Sequence, residues 1–75
     1  MWVQLAVDYP CFARRIGDCF CRAYQIAETL WRWEVWRTHT DYPLRLLRIG
    51  THQHRQLAMQ AAESHVLASG EAHQE

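Results

Sequence analysis

Two patterns in the sequence predict a small, single-domain α+β fold: a helix followed by an antiparallel β-hairpin, with a second helix packed on the sheet. Apolar residues recur every three or four positions over 19–30 and 52–68, which is the helical period. Between these segments, apolar and polar residues alternate over 31–37, and a second extended run follows at 44–49. The 75 residues suffice for one domain. We place that domain at 1–70, with a frayed C-terminal tail at 71–75.

The N-terminal segment is predicted to be extended before the first helix. Residues 2–7 alternate loosely, which predicts a short strand or arm that could add a third strand to the sheet. Pro10 could open a short helical turn over 11–16, and Gly17 would end that turn.

The first helix is predicted over 19–30, because Asp18 is a good N-cap residue. Its apolar positions recur at helical spacing: Phe20, Ala23, Tyr24, Ala27, Leu30 and Trp31. The same period extends to Val35, so one long helix through the tryptophans is an alternative. We favour a strand at 31–37, since Trp and Val suit strands better than helices.

A strand at 31–37 would divide its side chains between two faces of the sheet. One face would carry Trp31, Trp33 and Val35, which suits a core. The opposite face would carry Arg32, Glu34 and Trp36. A large aromatic beside a cation is unusual where water is expected, so this second face is typical of a contact surface.

The C-terminal half is predicted to complete the hairpin and add the second helix. Residues 38–43 have the composition of a turn, and the strand at 44–49 would end at Gly50. Thr51 would be the N-cap of the helix over 52–68, and Gly70 its C-cap. One stripe of this helix is mostly alanine and would pack on the sheet: Leu57, Ala58, Ala61, Ala62, His65 and Val66.

The charges of the chain are balanced in total but unevenly distributed. All eight basic residues are arginine, which codon bias explains most simply. Residues 31–55 hold five arginines against Glu34 and Asp41, a net charge of +3, whereas 56–75 hold three glutamates, a net charge of −3. The basic segment favours an acidic patch on a partner. The neutral total argues against a dedicated DNA-binding protein.

The sequence shows no secretory signal pattern and no apolar run long enough to span a membrane. Three cysteines without such a signal predict reduced thiols rather than a disulfide framework. We therefore expect a cytoplasmic protein that does not contact a membrane.

The cysteine and histidine pairs are weak candidates for a zinc site. The four possible ligands are Cys19, Cys21, His52 and His54, with Cys11 and His39 in reserve. Structural zinc sites usually separate paired ligands by two or more residues, whereas each pair here has one intervening residue. A small zinc-binding protein stays an alternative, but we expect no metal and no other cofactor.

A catalytic function is not expected. Cys19 or Cys21 could in principle act with a histidine, oriented by Asp18 or Asp41. The chain has no nucleophile elbow, no signature around a cysteine and no glycine-rich phosphate loop. A domain of this size also has little room for a concave pocket.

The arginine and tryptophan residues of the predicted hairpin are the best candidates for partner binding, because these residue types dominate binding hot spots. The candidates are Arg32, Trp36, Arg37, Arg45, Arg48 and Arg55. A host protein with an acidic patch is the expected partner. Single-stranded nucleic acid is an alternative partner for the same residues, since aromatic rings stack on bases. A homodimer through an open sheet edge is also expected.

The run from Arg48 to His52 and the run from Leu57 to Glu63, after a tryptophan-rich strand, resemble small accessory proteins of bacteriophages and prophages. The resemblance covers 31–67 and includes anti-defence proteins such as anti-CRISPR proteins. It implies a non-enzymatic protein that inhibits a host factor, such as a CRISPR–Cas component, by blocking its surface. It assigns no functional residues.

Overall fold

The computed structural model describes residues 1–6, 8–39 and 42–69, which form one five-stranded antiparallel sheet and one helix. Each strand pairs with its neighbours in the chain, so the strand order is β1-β2-β3-β4-β5. The elements are β1 (Val3–Gln4), β2 (Cys11–Ile16), β3 (Cys19–Ala27), β4 (Leu30–His39), β5 (Tyr42–His52) and α1 (Arg55–Ser69).

The predicted fold class is wrong, because no helix precedes the hairpin among the described residues. Residues 19–30 contain β3 and the start of β4, and 11–16 form β2. Burial along β3 alternates with a period of two: Cys19, Cys21 and Ala23 are fully buried, whereas the residues between them are half-buried. Both faces of β3 carry apolar side chains, and this produced an accidental helical spacing.

A tight turn at Gly17 and Asp18 explains why β2 and β3 pair. Ile16 lies opposite Cys19, so two residues connect the strands. Gly17 has φ of 58°, and no non-glycine residue of the described chain has positive φ. Positive φ at the first turn residue alone is the type II′ pattern, whose twist matches that of paired strands. Gly17 and Asp18 thus turn a hairpin and do not separate two helices.

The strand prediction for 31–37 is confirmed, and the alternative of one long helix is wrong. These residues lie within β4, which pairs with β3 on one side and with β5 on the other. Trp33 and Val35 belong to the hydrophobic core, and Trp31 packs against it. The predicted strand at 44–49 is also confirmed within the longer β5.

The C-terminal helix is confirmed, but its predicted start is wrong. Thr51 and His52 belong to β5, and the backbone N–H of Ala58 donates to the carbonyl of His54 at 3.1 Å. Gly70 and the predicted tail at 71–75 lie outside the described residues.

The helix covers one face of the sheet, which we call the helix face. Ala58, Ala62 and Val66 are fully buried there against Val35 and other core residues. Alanine side chains are short, so the helix can lie close to the strands. At one flank of α1, Glu63 accepts hydrogen bonds from the Trp2 indole and the Arg14 guanidinium, both at 2.6 Å. These bonds join the N-terminal arm to the helix.

Gly50 makes room for the largest core side chain. It lies opposite Trp33, and a Cβ atom at Gly50 would lie 2.6 Å from two carbons of the indole ring. The indole therefore lies across the β5 backbone, where it also contacts His65 with a centroid distance of 6.5 Å.

Candidate protein-binding surface

The other face of the sheet, which we call the open face, has no helix on it within the described part of the chain. Directly paired residues of an antiparallel sheet lie on the same face. The register therefore places three rows of side chains across β2, β3, β4 and β5 on the open face. They are Arg15–Phe20–Trp36–Leu46, Ala13–Arg22–Glu34–Ile49 and Cys11–Tyr24–Arg32–Thr51.

Glu34 lies at the centre of the open face and is 5% exposed, although no helix covers it. Its Oε1 accepts hydrogen bonds from Arg22 Nε at 3.0 Å, Arg22 Nη2 at 2.8 Å and Trp36 Nε1 at 2.9 Å. Its Oε2 accepts one from the Tyr24 hydroxyl at 2.7 Å. A buried carboxylate needs such partners, because an unpaired charge away from water is costly.

The hydrogen bonds to Glu34 change the pKa values of the group. Burial alone would raise the pKa of Glu34, but the bonds from Trp36, Tyr24 and Arg22 outweigh it and lower that pKa. Burial and the bond to Glu34 raise the pKa of Tyr24. The pKa of Arg22 is raised, because its pairing with Glu34 outweighs the effect of burial. Glu34 is therefore ionised and Tyr24 neutral at neutral pH.

The network fixes the side chains around Glu34 in one arrangement. The Arg22 guanidinium also lies over the Tyr24 ring, 4.8 Å from its centroid. Arg32 is held less tightly: its Nε is buried, lies 3.8 Å from Glu34 Oε2 and has no hydrogen-bond partner among the described residues. Its side chain is 42% exposed, so it can bind a further group.

Apolar side chains surround this polar network on the open face. Leu46 is 43% exposed and Ile49 is 38% exposed, and both lie on β5. Trp36 and Phe20 are half-buried in the row that contains Leu46. A fixed polar centre with an apolar margin is able to form a contact surface for another macromolecule.

The structure divides the predicted partner-binding residues between the two faces. Arg32 and Trp36 lie on the open face, as predicted. Arg37 on β4 and Arg45 on β5 lie at directly opposite strand positions, on the side of the sheet that carries α1. Arg48 lies opposite Val35 on the same side. The Arg55 guanidinium lies over the Phe12 ring, 5.0 Å from its centroid.

Sequence reasoning missed five residues of the open face: Phe20, Arg22, Tyr24, Leu46 and Ile49. The first three lie on β3, which was predicted to be a helix. The other two lie on β5, where a register shift brings them to the same face. One signal for β3 was present in the sequence: the Gly17-Asp18 pair, which is typical of a two-residue hairpin turn.

The structure does not bring the four zinc candidates together. Cys19 lies opposite Arg37, whereas His52 lies opposite Trp31 at the other end of β4. Six residues of strand separate these positions, which corresponds to about 20 Å. Within residues 1–6, 8–39 and 42–69, no group of three or more possible ligands could hold a metal ion.

The cysteines are poor nucleophiles in this fold. Cys19 and Cys21 are fully buried beneath α1. Burial is the main reason why the pKa of the Cys21 thiol is raised to about 12. The pKa of Cys11 is also raised, again mainly by burial. Because the thiolate is the reactive form, these thiols are suited to packing rather than to chemistry.

Comparisons with protein-family models, with curated proteins and with solved structures find no match to this chain. Among the described residues, no helix is both long enough and apolar enough to cross a lipid bilayer.

Proposed function

We propose that this chain is a non-enzymatic module that binds an acidic surface of a partner protein through its open face. The observation that carries the proposal is the preorganised arrangement around Glu34, which fixes Arg22, Tyr24 and Trp36 on a face that α1 does not cover. Tryptophan, tyrosine and arginine are the residues most enriched in binding hot spots. Because these side chains are already held in place, binding a partner costs less conformational entropy.

Charge indicates the chemistry of the partner. The open face carries Arg15, Arg22 and Arg32 against Glu34, so its described residues have a net charge of +2. Arg22 is hydrogen-bonded to Glu34, whereas Arg32 lies 3.8 Å from the Glu34 carboxylate and its side chain is 42% exposed. A carboxylate of the partner could bind the planar guanidinium of Arg32 in a bidentate manner.

The contacts of the aromatic rings favour protein over single-stranded nucleic acid. A base needs a free ring face on which to stack. The Tyr24 ring has Arg22 on one face, and its hydroxyl is bound to Glu34. Apolar Leu46 and Ile49 at the margin offer nothing to a phosphate backbone, but they suit the apolar part of a protein interface.

The resemblance of residues 31–67 to phage and prophage accessory proteins supports a more specific proposal. The partner would be a host defence factor, such as a CRISPR–Cas component, and the open face would block its surface. The resemblance supports the identity of the partner, whereas the geometry of the open face supports the way in which the partner is bound.

A matched pair of leucine substitutions tests the proposal. Leu46 on the open face and Leu67 on α1 are 43% and 56% exposed, so an aspartate at either position should cost little stability. We expect Leu46→Asp to lower partner affinity by about tenfold or more, because it adds a negative charge and removes apolar contact area. Leu67→Asp should leave affinity unchanged. The partner is obtained by cross-linking the full-length protein in host cells, and its affinity is measured by calorimetry.

A second matched pair, Ile49→Asp on the open face and Leu57→Asp on α1, where the leucine is 44% exposed, should give the same contrast. Circular dichroism and thermal unfolding check that every variant is folded. Equal affinity of the open-face and control variants for the partner would contradict the proposal. If the wild-type protein binds oligothymidylate and Leu46→Asp does not, the open face binds nucleic acid instead.

A further inference from the structure

The outer margin of β5 is a second feature that can bind a partner. β5 is an 11-residue strand at one edge of the sheet, whereas β1 at the other edge has two residues. An edge strand has a row of backbone N–H and C=O groups that another strand can pair with. The long edge is therefore a place where a strand of another chain can be added.

Three arginines gather beside this edge, and we call them the arginine corner: Arg37, Arg45 and Arg48. Arg37 lies directly opposite Arg45, and Arg48 lies opposite Val35 on the same side of the sheet. Arg45 and Arg48 are exposed, and in the part of the chain that the structure describes no carboxylate forms an ion pair with either of them. Acidic residues of a partner would complement these two positive charges.

The two sides of β5 differ in character. On the side that carries α1, β5 presents Arg45 and Arg48. On the open face it presents Leu46 and Ile49, both exposed. A strand that pairs with β5 would alternate in the same way, since successive side chains point to opposite faces.

We propose that the outer edge of β5 accepts an extended strand of the partner protein, in which acidic residues face Arg45 and Arg48 and apolar residues adjoin Leu46 and Ile49. This inference rests on the proposed protein-binding function and adds the backbone conformation and residue pattern of the partner. The apolar side of the added strand would continue the open face beyond β5.

A second copy of this chain is a poorer occupant of the same edge. Antiparallel pairing of β5 with its copy would place Arg45 and Arg48 of both chains on one side of the joined sheet. Four cations would then be close together, with no carboxylate of the described residues paired to them. The arginines and the irregular register near Leu47 also disfavour unspecific strand pairing at this edge. The charge of an incoming strand would therefore decide whether it binds.

Two synthetic peptides test the inference on the full-length protein. One alternates glutamate with valine, the other alternates lysine with valine, and both have blocked ends. We expect the glutamate peptide alone to bind and to slow amide hydrogen exchange along β5. The double variant Arg45→Glu/Arg48→Glu should lose at least about tenfold in affinity for that peptide and should gain binding of the lysine peptide. Gln56→Glu/Gln60→Glu, at two exposed positions of α1 outside both surfaces, is the control and should keep the original preference.

Several results would overturn the inference. If neither peptide slows amide hydrogen exchange along β5, the edge does not accept a strand, and the arginines only prevent unwanted strand pairing. Unchanged affinity in the double variant would remove the role of charge. If the free wild-type protein sediments as a dimer and the double variant sediments as a monomer, the edge binds a second copy of this chain instead. Oligothymidylate binding that the double variant abolishes would assign it to nucleic acid.

Failure of this inference can be distinguished from failure of the proposed function. If Leu46→Asp loses the cellular partner while Arg45→Glu/Arg48→Glu retains it, the open face binds protein and the edge does not. If neither variant affects the partner, both proposals are wrong.

Discussion

Glu34 is the residue on which the arrangement of the open face depends. One carboxylate accepts hydrogen bonds from three side chains on two strands. Its cost of burial is offset only while all of these donors are present, since a partly satisfied polar network is less stable than a complete one. The residue thus links the stability of the domain to the geometry of its candidate binding surface.

Acid should weaken the domain through Glu34. The pKa of Glu34 is lowered in the folded state, so its contribution to the free energy of unfolding is present above the unfolded pKa of about 4.3. That contribution is lost as pH falls through the folded pKa. Urea unfolding at a series of pH values should therefore show stability falling as the pH is lowered below the unfolded pKa.

The variant Glu34→Gln provides the control for this titration. It should be less stable than the wild type at neutral pH by about 1–3 kcal/mol, because the charged acceptor for Arg22 is lost. Its stability should also fall less steeply in acid. Equal slopes for the two proteins would show that other carboxylates cause the acid sensitivity.

At the scale of elements, β4 was predictable from sequence and β3 was not. In β4, Trp31, Trp33 and Val35 alternate with Arg32 and Glu34, so a period of two fits better than the helical period. In β3, apolar residues occur on both faces because Phe20 and Tyr24 belong to the open face. Local patterns could not distinguish this from a helix. Pairing with β2 and β4 decides the structure, and pairing is a property of distant residues.

The candidate site was predictable to the same extent as its strands. Arg32 and Trp36 were correctly placed on one face because β4 was correctly predicted to be a strand. The network around Glu34 was not foreseen, since Arg22 and Tyr24 come from β3. Arg37, Arg45 and Arg48 were expected on the same surface as Trp36, but their register puts them on the other side of the sheet.

The pairing of β4 with β5 should be sensitive to a methyl group at Gly50. In Gly50→Ala the new Cβ would meet the Trp33 ring at 2.6 Å, so the indole or the strand must move. Such overpacking costs about 1–3 kcal/mol. Urea unfolding followed by tryptophan fluorescence measures this loss. Thr51→Ala, next to it and exposed, should change stability by less than about 0.5 kcal/mol. Equal effects of both substitutions would contradict the close contact.

At the scale of the whole molecule, α1 provides most of the cover for the helix face. Val35, Cys19 and Cys21 are fully buried in the core that contains Ala58, Ala62 and Val66. Without the helix, this face would be exposed to water along with Trp33. A sheet with one uncovered face tolerates this only where that face is polar, as around Glu34.

Removal of the helix should therefore prevent cooperative folding. A chain that ends at residue 54 is expected to show no sharp urea transition and to bind a hydrophobic dye, because its apolar face is not covered. The full-length chain, measured in parallel, should unfold in one transition. A sharp transition of the shortened chain would show that the sheet is stable without α1.

The strand order also determines how the molecule can form during its synthesis. Every strand pairs with the strand before it in the chain, so the sheet can grow one hairpin at a time as residues leave the ribosome. The helix comes last, yet it covers strands near the middle of the chain, including β3. Until it emerges, the nascent sheet exposes Trp33 and Val35 to the cell. The helix, made after all five strands, is thus the element that protects this domain from aggregation and from chaperone capture.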